Sequence, residues 1–414
     1  MGAYLSGGLD SSAIASIIRN FTSNRLDTFS ICFEDQNFDE SGFQKQMARF
    51  LGTSHQVVRA THADIGEVFP EVIWHTEVPI TRTAPAPMFL LSKLVQNSGY
   101  KVVLTGEGAD EFLGGYDIFK EAKVRRFWAR QPDSRWRSAL LKRLYPDISN
   151  VTRNNVSLLA AFFRDRLTEV GSPDYSHALR WRNGRRNCRF ISQEIKSGAN
   201  SIDMVQGWLH RDFDRWSHLA QAQYLEIKIF LSQYLLCSQG DRMAMAHSIE
   251  GRFPFLDCRV IEFCNGLPPQ LKLRGLIEKY LLKQVCKAWL PNEIWQRPKR
   301  PYRAPIHRSF FNNETPEYVT ELLSEKEIRK SGYFRAEAVC QLIRKLRQGI
   351  AVSESDDMAL AGVLSTQLVH QQFVQNFRPA PNLPEGTSLK VCRGPSNSPD
   401  LRGNSEGPIG LAKN

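Results

Sequence analysis

No pair among the eight cysteines of this 414-residue chain has Cys-x-x-Cys spacing, which argues against a zinc knuckle. Several of them sit in apolar runs, the pattern of reduced, buried thiols in a cytoplasmic protein. His55, His75 and His247 lack metal-site spacing and read as structural. No apolar run is long enough to span a bilayer, so no membrane association is expected. The N-terminus lacks the basic start and apolar core of a signal peptide. Internal repeats are missing, which argues against a solenoid. What is present is ordinary for a globular enzyme: 42% hydrophobic and 23% charged residues, in a chain long enough for a large core and two domains. The net charge of +11 suits a polyanionic partner or a nucleotide-using enzyme equally well.

The stretch Ser6-Gly7-Gly8-Leu9-Asp10-Ser11-Ser12 follows a short apolar strand, Gly2 to Leu5, and leads into the apolar helical run Ala13 to Ile18. Strand, glycine turn and helix is the arrangement in which backbone N–H groups meet an anion. Gly7 and Gly8 let the backbone approach a phosphate, and Ser6, Ser11 and Ser12 add hydroxyl donors. No lysine follows the glycines, so this is not the usual P-loop. Asp10 would repel a bare phosphate and makes sense with a divalent cation between the two. The plain alternative is a strand–turn–helix with an N-capping aspartate.

Residues 1–120 alternate strand and helix signals and predict an α/β core: a parallel twisted sheet with helices on both faces. Strands are expected at Asp27–Phe33, His55–Val58 and Tyr100–Leu104. Helices are expected at Ser41–Leu51, stopping at Gly52, at His62–Trp74 and from Pro87. The last strand delivers a second loop, Thr105-Gly106-Glu107-Gly108-Ala109-Asp110-Glu111, with three carboxylates within five residues. Both glycine loops fall where open α/β sheets bind ligands. Residues 121–377 read as mainly helical. They include the basic loop Arg297–Pro305 and two arginine-rich clusters, which read as solvated helix faces. From 378 to 414, proline and glycine replace apolar periodicity, which predicts a disordered tail.

Together with Asp241-Arg242-Met243-Ala244-Met245-Ala246 and Glu250-Gly251-Arg252-Phe253-Pro254-Phe255-Leu256-Asp257, the two loops resemble the synthetase domain of glutamine-dependent asparagine synthetases. That domain has the adenine nucleotide α-hydrolase-like fold of the ATP pyrophosphatases. The resemblance implies ATP-dependent adenylation of the aspartate side chain, release of pyrophosphate, and displacement of AMP by ammonia. It implies that Ser6, Gly7, Gly8, Ser11 and Ser12 grip the pyrophosphate, and that Asp10 and Asp110 hold Mg2+ against the phosphates. It further implies that Tyr4, Ile31, Thr105 and Gly106 line the nucleotide site, Ile31 through its backbone. Glu107 would take a proton from the incoming amine, Lys279 would neutralise reacting oxygens, and Arg82 would lie near the substrate. Asp241, Arg242, Glu250, Arg252 and Asp257 are expected to form a buried ion-pair network.

Full members of that family carry an N-terminal glutaminase domain with a cysteine as first residue, whereas this sequence opens on Met1-Gly2. The expectation is an enzyme that uses free ammonia or a separate glutaminase, with a homodimer left open. Related ligases with other substrates, β-lactam synthetases and lasso-peptide cyclases, fit the same motifs. A tRNA-modifying ATP pyrophosphatase would use the basic clusters, but the Glu250–Asp257 stretch argues against it and no nucleic-acid partner is expected. An inactive nucleotide-binding scaffold would have no chemical need for Asp10, Glu107, Asp110 and Lys279 together.

Overall fold

Five short strands, β1 (Gly2–Tyr4), β2 (Asp27–Phe33), β3 (Ser54–Ala60), β4 (Val102–Leu104) and β5 (Glu250–Arg252), form one sheet. All neighbours are parallel, in the order β3-β2-β1-β4-β5. The computed structural model describes residues 1–145, 156–196, 201–349 and 352–377. The tail expected over 378–414 lies outside the described residues. Contacts join Met1–Gln375 into one unit. Among the described residues no helix is long and apolar enough to cross a membrane.

Parallel strands are covered on both faces, so they read as continuous apolar runs. In β2, Phe29, Ile31 and Phe33 alternate with Thr28, Ser30 and Cys32, and nearly all are buried. Helices α1 (Leu9–Phe21) and α2 (Ser41–Leu51) cover one face, where Ala3 and Leu5 pack with Ile14, Ile18, Met47 and Leu51. Helices α3 (His62–Thr76) and α4 (Pro85–Asn97) cover the other, where Phe29 and Val103 meet Leu91 and Val95, and Ile31 and Phe33 meet Phe69 and Phe89. This is the expected α/β fold of the adenine nucleotide α-hydrolase type.

Local chemistry sets the element ends. Gly52 stops α2 in the left-handed region at φ 63°. Thr61 and Asp64 close a reciprocal capping box on α3, through bonds of 3.1 and 2.8 Å. Downstream follow α5 (Ala109–Leu113), α6 (Asp117–Ala129) and α7 (His218–Glu226). The chain continues from α7 as a π-helix over Ile227–Asp241. Then come α8 (Tyr280–Cys286), α9 (Ala336–Gln348) and α10 (Glu354–His370). α9 and α10 pack onto α3 through Leu342, Leu346, Leu360 and Leu364, making the largest apolar core.

Two readings change. Glu250-Gly251-Arg252 is an edge strand pairing with Val102–Leu104, because its backbone completes the ladder whatever its side chains. The buried ion-pair network expected around it does not form. Arg252 pairs with Glu250 at 2.7 Å, Arg242 with Glu77 at 2.7 Å and Arg259 with Asp257 at 2.9 Å, as separate pairs open to solvent. Such exposed pairs contribute little to stability, because water screens them.

Gly66 on α3 permits close packing against the backbone of Ser309, since a Cβ there would lie 2.3 Å from the Ser309 carbonyl oxygen. Gly66→Ala should therefore cost about 1–3 kcal/mol of stability through overpacking. Urea unfolding checks this, and an unchanged midpoint would contradict the packing.

Candidate active site

The strand order reverses between β1 and β4: β2 and β3 extend to one side of β1, β4 and β5 to the other. Ligands of open α/β sheets bind beyond the strand ends at such a switch point. Asp10 stands in the first turn of α1, just after β1, and Asp110 in the first turn of α5, just after β4, so neighbouring strands deliver both to one place.

Lys279 joins them. Its Nζ lies 2.5 Å from Asp10 Oδ2, 2.7 Å from Asp10 Oδ1 and 2.6 Å from Asp110 Oδ1. The other Asp110 oxygen accepts from Lys299 Nζ at 2.5 Å. Close approach of the loops requires glycine at two places. A Cβ on Gly106 would sit 2.9 Å from both Asp10 Cβ and the Ser11 amide nitrogen. A Cβ on Gly115 would sit 2.0 Å from Asp110 Oδ1 and 2.2 Å from Lys279 Cε. Lys279 itself adopts a left-handed backbone at φ 49°, a conformation that costs a non-glycine residue energy and is found mainly where surroundings enforce it.

The electrostatics follow from this crowding. Burial pushes the Asp10 carboxyl above its usual value, with Lys279 pulling it back and Asp110 adding repulsion. Burial acts on Asp110 too, but Lys279 and Lys299 on its two oxygens outweigh it and hold it below the usual range. Among the described residues Glu107 has no such partner within bonding distance. Burial raises it to about 7, Lys299 and Lys279 drawing it down while Asp110 and Asp10 push it up. Glu111, fully buried, is pushed to about 8 by burial and Asp110, and accepts from the Tyr116 hydroxyl at 2.7 Å.

A cleft open to solvent borders Asp10 and Lys279. Ser6, Gly8 and Asp10 line one side, Lys279 and Lys283 another, and Arg297 to Arg300 a third. No side chain caps the N-terminus of the 13-residue helix α1. Ser6 and Ser11 hold the turn, their hydroxyls 2.9 Å apart, and the Ser6 amide donates to Ser11 Oγ at 3.1 Å.

Not every expected residue faces this cleft. Ser12 is fully buried with its hydroxyl unpartnered among the described residues. Gly7 turns at φ 73° and packs onto Phe43. Thr105 is buried, its amide donating to the Arg252 carbonyl at 2.9 Å. Ile31 lies in the core, and its carbonyl accepts from Gln44 at 2.8 Å. The Tyr4 hydroxyl is raised by burial and lies near Tyr302. Arg82 is bonded to Glu354 at 3.4 Å, outside the cleft lining. Conversely, Lys299, Glu278 and Arg297 belong to the site and were passed over. The proline-flanked basic loop was the sequence signal for Arg297 and Lys299, and Glu278 had none.

Ionised Glu107 is costly in the empty site, which sets a pH signature. Its folded value of about 7 lies above the ordinary 4.5. A raised carboxyl adds stability below the unfolded value, and that stability is lost as pH rises through the folded value. Glu107→Gln should therefore be more stable than wild type at pH 8, by about 1–2 kcal/mol after allowance for its partial exposure, and equal to it near pH 4. Urea titrations at both pH values check this; a gain that is the same at both contradicts it.

Residues 1–371 match the asparagine synthase family. The chain is 26% identical to the amidase chyE of Penicillium rubens over 406 aligned positions, covering 86% of this chain and 56% of that protein. It is 27% identical to the amidase chry2 of Gibberella zeae over 371 positions, covering 80% and 53%. It is 26% identical to the glutamine-hydrolysing asparagine synthetase 1 of Bacillus subtilis over 358 positions, covering 83% and 52%. The chain thus spans about half the length of these curated relatives. With the family match running through both aspartate loops and the lysine that joins them, the chain belongs to the asparagine synthase family.

Proposed function

We propose that the protein amidates a carboxylate at the expense of ATP, aspartate being the substrate and asparagine the product. A side-chain carboxylate oxygen attacks the α-phosphorus, pyrophosphate leaves, and ammonia then displaces AMP from the mixed anhydride. The observation that carries this reading is the pair of carboxylates from two strand ends converging on one ammonium beneath an anion-accepting cleft.

The donor set fits Mg2+. Asp10 and Asp110 are held on one positive charge, and Mg2+ typically takes one or two carboxylates plus substrate phosphates rather than an all-protein cage. When bound, Mg2+ would supply charge neutralisation on the phosphates. The open N-terminus of α1 and the Ser6–Ser11 turn receive the pyrophosphate. Lys279 neutralises charge on the reacting oxygens. Glu107, with its carboxyl near 7, takes the proton from the attacking amine. Tyr4, Ile31, Thr105 and Gly106 border the nucleotide, and Arg82 serves the substrate from outside the cleft. A nucleic-acid substrate is disfavoured: Arg180, Arg182 and Arg189 are committed to Glu121, Asp165 and Asp356.

A second reading keeps the chemistry and changes the acid. Two of the relatives are named amidases, which favours a biosynthetic carboxylate other than aspartate.

Pyrophosphate release from MgATP should depend on aspartate and ammonium together. Asp10→Asn should lower it on the order of a hundredfold or more with an unchanged circular dichroism spectrum. Release that needs a different carboxylate selects the second reading. Release driven by tRNA alone, or none with any carboxylate, overturns the proposal.

A further inference from the structure

Lys279 enters α8 against the usual rule. The residue that opens a helix is ordinarily extended, yet Lys279 stands there at φ 49° and ψ 37°, and no side chain caps the helix. A left-handed backbone at a non-glycine residue persists where neighbours enforce it. The enforcing contacts converge on the residue before it, Glu278.

The chain reaches Glu278 through a tight turn, in which Arg274 and Ile277 exchange backbone hydrogen bonds of 3.0 and 2.9 Å. The Glu278 carboxylate is buried. Its Oε1 accepts from Lys283 Nζ at 2.9 Å and from the Lys299 amide at 3.1 Å, and its Oε2 lies 3.8 Å from Lys120 Nζ. Lys283 stands one helical turn beyond Lys279, and its amide donates to the Lys279 carbonyl at 2.9 Å. Side chain and backbone thus close a ring through Glu278, Lys279 and Lys283. Lys120, on α6, is held in turn by Asp117 at 2.7 Å. Burial acts to raise the Glu278 carboxyl, but Lys283 and Lys120 outweigh it and hold it below the usual carboxylate range.

The same carboxylate ties in the basic loop. Arg297 reaches the Gly7 carbonyl at 3.4 Å and pairs with Glu40, and Arg300 donates to the Asn37 carbonyl. Between them, the Lys299 amide is fixed by Glu278. Among the described residues no bond from Glu278 goes to Asp10 or Asp110, so it reaches them through Lys279.

We propose that Glu278 is a positioning residue of this site, its carboxylate holding Lys279 in the left-handed backbone that carries the ammonium between Asp10 and Asp110. Its effect on rate rests on the ATP-dependent reading above. Released from Glu278, Lys279 relaxes to the extended backbone usual at a helix start, and its ammonium leaves the place where it neutralises the reacting oxygens.

Crystal structures and steady-state kinetics of three variants test this. In Glu278→Ala, Lys279 should move to negative φ. Its kcat for pyrophosphate release should fall at least tenfold, while the KM for MgATP stays within threefold. Glu278→Asp keeps the charge but is one methylene too short for the Lys299 amide, and should lose as much. Glu278→Gln keeps the reach and the acceptor oxygen without the charge, and should stay within threefold of wild type. Glu278→Asp slower than Glu278→Gln supports placement by Glu278, and the reverse order overturns it, because charge alone is then what the site needs. A folded Glu278→Ala with Lys279 still left-handed and wild-type kcat overturns the proposal and leaves the ATP reading standing. Should Glu278→Ala not fold, because Lys120 and Lys283 lose a buried partner, the comparison of Glu278→Asp with Glu278→Gln decides. A wild type that releases no pyrophosphate with any carboxylate overturns the ATP reading, and φ at Lys279 in the Glu278→Asp crystal then decides the placement: negative supports it, left-handed overturns it.

Discussion

A single ammonium shared by two carboxylates holds this site together. Asp10 and Asp110 come from the first turns of two helices separated by a hundred residues, and both are largely buried. Brought together without Lys279 they would repel at low dielectric and lose their solvation as well. With it, each carboxylate has a partner at 2.5–2.6 Å, and Lys299 satisfies the remaining Asp110 oxygen. The left-handed backbone of Lys279 and the glycines at 106 and 115 are consequences of that arrangement. The backbone must bend, and two side chains must be missing, for three charged groups to meet.

The fold supplies the meeting place. Because β1 is central and the chain extends to opposite sides of it, the loops after β1 and β4 point away from each other in sequence but open one crevice. Glu107 inherits its position from the same geometry. It shares the loop of Asp110 without sharing its lysines, so burial dominates and the carboxyl titrates near neutrality. Two acidic residues three positions apart are thus given opposite tendencies, one held ionised and one poised to exchange a proton.

The helical remainder of the chain is part of the site as well. It returns β5 to the sheet edge and inserts Lys279 from the residue just before α8. It also folds the Arg297–Pro301 loop over the cleft, and Glu278 ties that loop to Lys283 at 2.9 Å. One buried carboxylate thus registers the lysine-bearing helix against the basic loop.

Several features were legible in the residues themselves. The apolar and β-branched run Asp27–Phe33, the stop at Gly52 and the two glycine loops after strands are local signals, because propensity and backbone freedom act over a few residues. From them the parallel α/β core and the placing of both glycine loops at strand ends follow; the pairing of Asp10 with Asp110 was implied by the family resemblance. Local pattern was silent where the backbone alone pairs, as in Glu250-Gly251-Arg252, whose side chains carry no strand periodicity. It also misread the charges around that strand as a buried network, since charge pattern carries no information on solvent access. Which lysine reaches which aspartate, why Glu107 rises and Asp110 falls, and that Lys299 borders the cleft were decided by tertiary structure alone. Those properties depend on distance and desolvation between groups far apart in the chain, and only folding sets both.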